Sequence, residues 1–297
     1  MNIAPTATER RRGRLLLIAA AILWSTVGLF AKAPYFQEWS GAALAFWRAV
    51  FASFVLLPLV RKPCWTWRFL PMILFFVAMN YTFLTALKLT EASNAIWLQN
   101  TAPVWVFLVG VFYFKEPLHP RDMGTIVFAT AGILLILTFE ISNASYLGVL
   151  FGLLAALTYS GVVLSLRQLR NYQASWLVAL NHLTTALVLS PFAFSQLQGG
   201  PYVPTGMQWL LLACFGTLQM GLPYLLFARG LHHTPSHEAS GIVLIEPILT
   251  PVWVFFAWHQ HPSYEAPRWW TLVGGGLILT GLLIRYSRER TAKQVST

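Results

Sequence analysis

The sequence predicts an all-α integral membrane protein with ten transmembrane helices, arranged as two inverted repeats of five helices each. Three observations lead to this prediction. Of the 297 residues, 57% are hydrophobic and only 10% are charged, whereas soluble domains average about 25% charged residues. Ten apolar windows follow one another with short loops between them. A segment of the first half also recurs in the second half.

Each window is close to the length that a helix needs to cross about 30 Å of hydrocarbon at about 1.5 Å per residue. Only helices and closed barrels cross a bilayer, because backbone polar groups in lipid must be satisfied internally. Continuous apolar runs lack the alternation of a barrel strand, so the spans are predicted to be helical. The windows are 15–33, 41–60, 69–88, 93–114, 122–139, 146–166, 174–194, 208–229, 238–258 and 269–286.

The first window follows a basic tail that runs from Arg10 to Arg14, and it ends in Ala31-Lys32-Ala33. This pattern is similar to a signal peptide with its cleavage site. The window is longer than a usual signal core and contains Trp24, Ser25 and Thr26, so we interpret it as a retained first span. The predicted organisation is a basic cytoplasmic tail, two five-helix repeats and a cytoplasmic C-terminal tail, at residues 1–14, 15–140, 141–286 and 287–297.

The basic residues predict the orientation of the spans. With a cytoplasmic N-terminus, 16 of the 20 Lys and Arg residues lie on the inner side, and only Lys32, Lys88 and Arg268 lie outside. This asymmetry is the positive-inside pattern, so we expect an inner-membrane protein with both termini in the cytoplasm. The net charge of +10 therefore reflects topological anchors beside an anionic leaflet, and no nucleic-acid partner is expected.

The fourth window, within the segment 86–117, is more polar than a plain hydrophobic span, and Pro103 interrupts its middle. The sequence PVWVF occurs at 103–107 and again at 251–255, and an offset of 144 residues aligns Pro103 with Pro247. The chain therefore divides into two halves of five spans. Because five is odd, the second half enters from the opposite side of the membrane, an arrangement typical of transporters with a substrate site near the midplane.

Several motifs in this layout carry a family resemblance: Phe46-Trp47-Arg48-Ala49, the run ALKLTEAS from Ala86, Pro103, Lys115-Glu116-Pro117 and Glu246-Pro247. With them, the sequence resembles the drug/metabolite transporter superfamily, in its ten-span EamA-type branch. The resemblance implies a secondary transporter, not an enzyme, that moves small organic molecules by alternating access, often as an exporter of amino acids or other metabolites. It implies no cofactor. The second half departs from the first by having His259-Gln260 where the first has Lys115-Glu116.

Arg48 and Glu246 are the charged residues furthest from any window end. Ionisable groups within a span are costly, and they face the bundle interior or a water-filled cavity. Their depths differ by roughly 7 Å, so we hypothesise that they pair or that each holds one end of a zwitterionic substrate. Alternatively, Arg48 bonds carbonyls or snorkels, and Glu246 caps backbone groups freed by Pro247. Glu246 is also the candidate for proton coupling, since a buried carboxylate can titrate near neutrality.

Further candidates for substrate binding lie in the fourth window. Asn94, Trp97 and Thr101 share one helical face, with Asn100 at its flank. A face of amide, hydroxyl and indole groups suits an amphiphilic ligand, and it equally suits polar contacts that hold spans together. Four aromatic residues are weaker candidates, which allow an aromatic or cationic ligand: Trp24, Tyr81, Tyr159 and Tyr224.

The histidines suggest a rival class, because His232, His233 and His237 together with His259 and His261 are similar to the histidine boxes of membrane di-iron enzymes. The predicted topology puts the two groups on opposite faces of the membrane, so one metal centre cannot use both, and no metal is expected. A membrane-embedded metal enzyme that uses the inner group alone stays open, as does a non-transporting receptor or scaffold. The expected partners are a small-molecule substrate and the lipid bilayer, with protons as a further partner if transport is proton-coupled and not facilitated.

Overall fold

A computed structural model describes residues 6–113, 120–141, 146–169, 171–198, 204–231, 233–234, 239 and 242–294. These residues form α-helices with short 3-10 and π segments and contain no strand, which confirms the all-helical prediction. The helices are α1 (Ala7–Ser25), α2 (Val27–Ala31), α3 (Gly41–Leu56), α4 (Phe69–Leu89), α5 (Ala92–Gln99), α6 (Ala102–Phe112), α7 (Pro120–Ile141), α8 (Tyr146–Gln168), α9 (Ala174–Gln198), α10 (Gly206–Gly216), α11 (Leu222–Leu231), α12 (Ile245–Trp258) and α13 (Trp269–Gln294).

Several helical segments are long and apolar enough to cross a membrane, as a multi-pass membrane protein requires. Six of them are Thr8–Ala31, Gly41–Leu59, Phe69–Leu89, Tyr146–Leu166, Ala174–Phe194 and Gly206–Leu231. Shorter apolar helices cover Ile126–Glu140, Ile245–Trp258 and Trp269–Ile284. Each of the ten predicted windows overlaps at least one of the described helices.

The fourth window differs from the prediction because it holds two helices, α5 and α6, instead of one. Pro103 lies in the first turn of α6, where its missing N–H and fixed φ favour the start of a new helix. Asn100 Nδ2 donates to the Ile96 carbonyl at 2.9 Å, and Thr101 Oγ1 donates to the Leu98 carbonyl at 2.6 Å. These side chains satisfy carbonyl groups at the end of α5.

The first and eighth windows are also irregular. The first window breaks at Thr26, between α1 and α2. At this break, two side chains of α12 donate hydrogen bonds to Ser25: Thr250 Oγ1 to the carbonyl at 3.0 Å and Trp253 Nε1 to the hydroxyl at 2.8 Å. A π-helical turn, Thr217–Gly221, separates α10 from α11. Such turns often occur at functional sites, so both irregularities direct attention to the interior between these helices.

The helices pack in pairs that join the two halves of the chain. α4 packs along α8, α1 along α11, α3 along α9 and α7 along α13. Exchanging each span of the first half with the corresponding span of the second turns the α4–α8 pair into the α1–α11 pair, and the reverse. The α3–α9 and α7–α13 pairs are unchanged by this exchange. A twofold relation between the halves produces this kind of exchange.

Small residues allow α7 and α13 to approach closely. A Cβ added to Gly132 would collide with the Gly274 carbonyl oxygen, and one added to Gly275 would collide with the Trp97 ring of α5. A Cβ added to Gly276 would meet no atom of the described residues within 4 Å. Two of the three consecutive glycines at 274–276 therefore serve helix packing, as small residues commonly do in membrane bundles.

Candidate functional site

Arg48, on α3, is buried in the interior of the bundle with 2% of its surface exposed. Its Nη2 donates to Asn80 Oδ1 on α4, and Asn80 Nδ2 donates to the Phe76 carbonyl at 2.9 Å. The guanidinium carbon lies 5.3 Å from the centroid of the Phe215 ring, a favourable cation–π distance. An amide and a ring orient this charge but do not neutralise it.

A group of rings on other helices lies beside Arg48. His182, on α9, is fully buried, with its ring centroid 5.0 Å from that of Phe76 and 6.0 Å from that of Tyr224. Trp24, on α1, lies 5.3 Å from Tyr224 in an edge-to-face arrangement. The Arg48 charge acts electrostatically on both His182 and Tyr224. Helices of both halves therefore converge on one polar and aromatic region.

Several buried polar atoms in this region have no hydrogen-bond partner among the described residues: Arg48 Nε, both ring nitrogens of His182 and Gln219 Oε1. Gln219 lies in the π-helical turn, and its Nε2 donates to the Trp24 carbonyl at 3.1 Å. Each unsatisfied buried polar group costs about 1–3 kcal/mol, so several in one region mark a place for a polar ligand or waters. We define the central cluster as Trp24, Arg48, Asn80, His182, Gln219, Tyr224 and Glu246.

Glu246 joins the cluster from the first turn of α12, where it is half-buried. It lies near enough to Arg48 and Tyr224 to interact with both electrostatically. The hydrogen bond of Arg48 goes to Asn80, and in the described part of the chain no ion pair joins Arg48 to Glu246. Both charges thus stay available to a ligand with two charged ends.

A second polar group, the Glu91 network, lies where α5 and α13 begin. Glu91 is 6% exposed, and its Oε1 lies 3.5 Å from Arg268 Nε. Its Oε2 accepts from the Arg268 backbone N–H and the Thr271 hydroxyl, each at 3.3 Å. The Thr271 hydroxyl also lies 2.8 Å from Asn94 Oδ1, and Asn94 Nδ2 donates to Glu140 at 2.9 Å. The network thereby ties α5 to α7 and α13.

Glu91 lies between α4 and α5, outside the membrane-spanning segments. Burial raises the pKa of its carboxyl to about 7, and the Glu140 charge also raises it, against the lowering effect of the bonds from Arg268 and Thr271. The carboxyl therefore changes its charge near neutrality. When it is protonated, it cannot form the ion pair with Arg268.

A cavity that is partly open to solvent adjoins the Glu91 network. Its walls include Lys32 at the end of α2, Glu91, Trp258 of α12, and Tyr264 and Glu265 of the loop that precedes α13. We call this cavity the vestibule. Burial lowers the pKa of Lys32, and the carboxylates of Glu265 and Glu91 act in the opposite direction. The vestibule therefore brings together a cation, two carboxylates and aromatic walls.

The structure brings four of the ten predicted binding residues together in the central cluster: Trp24, Arg48, Tyr224 and Glu246. It adds Asn80, His182 and Gln219, which the sequence prediction missed. All three are uncharged polar residues inside apolar windows, where polar groups are costly and tend to have a function. A search for every polar residue in the windows, instead of charged residues alone, would have found them.

The other six predicted binding residues lie outside the central cluster. Asn94 belongs to the Glu91 network, and Trp97 packs against α13. Asn100 and Thr101 donate to carbonyls of the preceding turn. These positions favour helix–helix and helix-end contacts over ligand binding for these four residues. The remaining two are more than a third exposed: Tyr81 and Tyr159.

Two groups of residues that the sequence singled out lie wholly or partly outside the described residues. Lys115, Glu116 and Pro117 lie outside the described residues, and so do His232 and His237 of the inner histidine group. Among the residues that the structure describes, no three His, Cys, Asp or Glu side chains are placed to share a metal ion.

Comparison with known proteins finds matches over nearly the whole chain. The EamA-like transporter family model matches residues 11–138 and 146–287. An uncharacterized transporter of Archaeoglobus fulgidus is 24% identical over 282 residues, covering 93% of this chain and 97% of its own. A second from that organism is 27% identical over 289 residues, with the same coverage. A solved crystal structure superposes with a TM-score of 0.63 at 19% identity, over 94% of this chain and 98% of its own, and therefore shares the fold.

Proposed function

Since the chain belongs to the EamA-like transporter family, which is part of the drug/metabolite transporter superfamily, we propose that this membrane transporter moves small organic metabolites by alternating access. The observation that carries the proposal is the central cluster. Its unpaired buried polar atoms belong to helices of both halves and lie in the bundle interior. We further propose that transport is secondary and that its net direction is export.

The chemistry of the central cluster favours an amphiphilic molecule such as an amino acid. Arg48 has an unpaired N–H donor that suits a carboxylate. Glu246 has no bonded cation in the described part of the chain and suits an ammonium group. Trp24 and Tyr224 offer ring surfaces to the apolar part of the ligand. A few polar groups among aromatic walls are the usual make-up of a small-molecule site.

We propose that the ten windows form ten spans in two inverted five-helix repeats. The exchange of helix pairings between the halves supports this arrangement. The breaks between α1 and α2 and between α5 and α6 support it too, because transporters often have discontinuous helices near their sites. The excess of basic residues on one side supports a place in the inner membrane with both termini in the cytoplasm.

The proposed function is tested first by ligand binding and then by flux. Purified protein is screened by thermal shift against amino acids, purines and amphiphilic cations, because a ligand of the folded state stabilises it. Each stabilising compound is then assayed for flux into proteoliposomes. We expect at least one compound to be transported, and absence of flux for all stabilising compounds would contradict the transporter function.

Glu246→Gln tests whether the central cluster carries substrate or a proton, since it removes the charge and keeps the shape. We expect flux to fall at least about tenfold, the size of one lost charge-assisted hydrogen bond. The control is Glu9→Gln, because glutamine preserves the exposed capping box that Glu9 forms with Thr6.

Proton coupling is tested separately, in wild type. Accumulation that persists after the pH gradient is collapsed would refute proton coupling, while facilitated transport would stand.

A further inference from the structure

The vestibule is separated from the central cluster by a tightly packed floor. A Cβ on Gly28 would lie 2.8 Å from methyl groups of Thr250 and Val254 and 3.2 Å from the Ala92 side chain. Val254 and Ala92 also line the vestibule, whereas the Thr250 hydroxyl bonds the Ser25 carbonyl next to the central cluster. The vestibule is therefore a compartment of its own, with solvent on one side and this floor on the other.

Two opposite charges in the vestibule have no bonded partner among the residues that the structure describes. Within the described part of the chain, neither Lys32 nor Glu265 makes a hydrogen bond or an ion pair through its side chain. They interact only through space, because the Lys32 charge lies within electrostatic range of Glu265 and Glu91. Glu91 differs from them, since Arg268 and Thr271 already occupy its carboxylate. One cation and one anion, each without a bonded partner in the described ranges, thus border the same cavity.

The apolar walls of the vestibule are held in fixed positions. Trp258 Nε1 donates to the Leu29 carbonyl at 2.9 Å, which orients the indole ring. The Tyr264 ring lies edge-on to Phe255, with 6.1 Å between the centroids. Oriented aromatic rings bind a flat or branched apolar group with little loss of their own conformational freedom.

We propose that the vestibule binds a zwitterionic molecule, with its carboxylate at Lys32, its ammonium at Glu265 and its apolar body between Trp258 and Tyr264. A ligand with only one charge makes one charged contact instead of two, so it binds more weakly. The inference rests on the proposed function in one respect, namely that the same molecule passes on to the central cluster.

Three probes with one phenyl-ethyl body test the charge requirement: zwitterionic L-phenylalanine, cationic phenethylamine and anionic 3-phenylpropanoate. Their binding to the purified full-length protein in nanodiscs is measured by saturation-transfer NMR. We expect L-phenylalanine to bind and each analogue to bind at least about tenfold more weakly, because each loses one charged contact. Absence of L-phenylalanine binding, or equal binding of all three probes, overturns the proposal.

Variants then locate the bound probe. Lys32→Gln and Glu265→Gln should each weaken L-phenylalanine binding about tenfold, whereas Lys62→Gln, at an exposed lysine outside the vestibule, should leave it unchanged. Lys32→Glu alone should abolish binding, and Lys32→Glu combined with Glu265→Lys should restore it, because the zwitterion can bind in the reversed direction. A purely structural role of either residue would not produce this rescue.

The same assay separates the vestibule from the central cluster. If L-phenylalanine binding survives Lys32→Gln and Glu265→Gln but is lost in Glu246→Gln, the vestibule proposal is overturned and the proposed function stands. If the two vestibule variants lose binding while proteoliposomes show no flux of any compound, the vestibule site stands and the proposed transport fails.

Discussion

His182 shows at the scale of one residue what the central cluster costs the protein. Both of its ring nitrogens are buried and have no hydrogen-bond partner in the part of the chain that the structure describes, and the same holds for Arg48 Nε close by. An apolar residue of similar size at this position would avoid that cost, and buried polar groups are commonly less stabilising than such replacements. We infer that the histidine serves binding at the expense of stability.

His182→Leu separates these two effects, because leucine has a similar volume and no polar atom. We expect the ligand-free protein to become more stable by about 1–3 kcal/mol, the cost of an unsatisfied polar group. The stabilisation conferred by a transported compound should decrease at the same time. Thermal unfolding with and without that compound measures both effects, and His259→Leu, at an exposed position, is the control. A less stable ligand-free variant would contradict the inference.

Glu91 predicts a pH dependence of stability. Its pKa of about 7 in the folded protein lies above the ordinary value of 4.5, so the folded protein holds this proton more tightly than the unfolded chain. The stabilising contribution is complete below pH 4.5 and is lost as the pH rises through 7. The full shift corresponds to about 3 kcal/mol.

Glu91→Gln cannot ionise, so its stability relative to wild type should increase as the pH rises from about 5 to about 8. Thermal unfolding of both proteins across this range measures the difference. Glu9→Gln, at the exposed N-terminal cap, should show no comparable trend. A constant difference between Glu91→Gln and wild type would mean that the carboxyl titrates at its ordinary pKa.

At the scale of helices, the length of an apolar run predicts where a helix lies, but it does not predict where that helix is interrupted. The windows 69–88 and 146–166 correspond to helices Phe69–Leu89 and Tyr146–Gln168, because an uninterrupted apolar run has few alternatives to a helix. Pro103 marks the break between α5 and α6. No proline marks the break at Thr26. There the Ser25 and Thr26 hydroxyls donate to carbonyls of the preceding turn, and α12, more than two hundred residues away, donates two hydrogen bonds to Ser25.

The same limit applies to the candidate site. Arg48 and Glu246 stand out in the sequence because a charge within a span is rare. Asn80 and His182 do not stand out, because uncharged polar residues often join spans to one another. Only their positions in the folded protein identify them: Asn80 bonds Arg48 from α4, and His182 packs against Phe76 from α9. Tertiary contacts between distant segments are the information that composition and spacing lack.

Packing between α7 and α13 gives a prediction with an internal control. Gly132→Ala should destabilise the protein by about 1–3 kcal/mol, because its Cβ would collide with backbone of α13. Gly276→Ala should be neutral or slightly stabilising, because its Cβ meets no atom within 4 Å in the described part of the chain and alanine favours the helix. Thermal unfolding compares the two variants. Equal stabilities would contradict the close approach of these helices.

For the whole molecule, the two sites depend on contacts between the halves of the chain. The central cluster takes residues from α1, α3 and α4 of the first half and from α9, α11 and α12 of the second. The vestibule lies between α2, α5 and α12. A movement of one half against the other would therefore change both sites together, and this coupling is what alternating access requires.

The orientation of the molecule decides which side the vestibule faces. Cys64 is exposed in the loop between α3 and α4, which we place in the cytoplasm, and Glu265 is exposed in the loop that we place outside. In a Cys214→Ser background, a membrane-impermeant maleimide added to intact spheroplasts should leave Cys64 unmodified. Glu265→Cys, in a chain that also carries Cys64→Ser, should react under the same conditions.

After the membrane is permeabilised, both positions should react, because both are exposed to water and only the membrane separates the reagent from Cys64. Labelling of Cys64 in intact spheroplasts, without labelling at position 265, would reverse the orientation. The vestibule would then open to the cytoplasm, and a zwitterion bound there would be a substrate awaiting export. With the orientation that the basic residues predict, the vestibule would instead open to the outside, and an exported zwitterion would leave the protein through it.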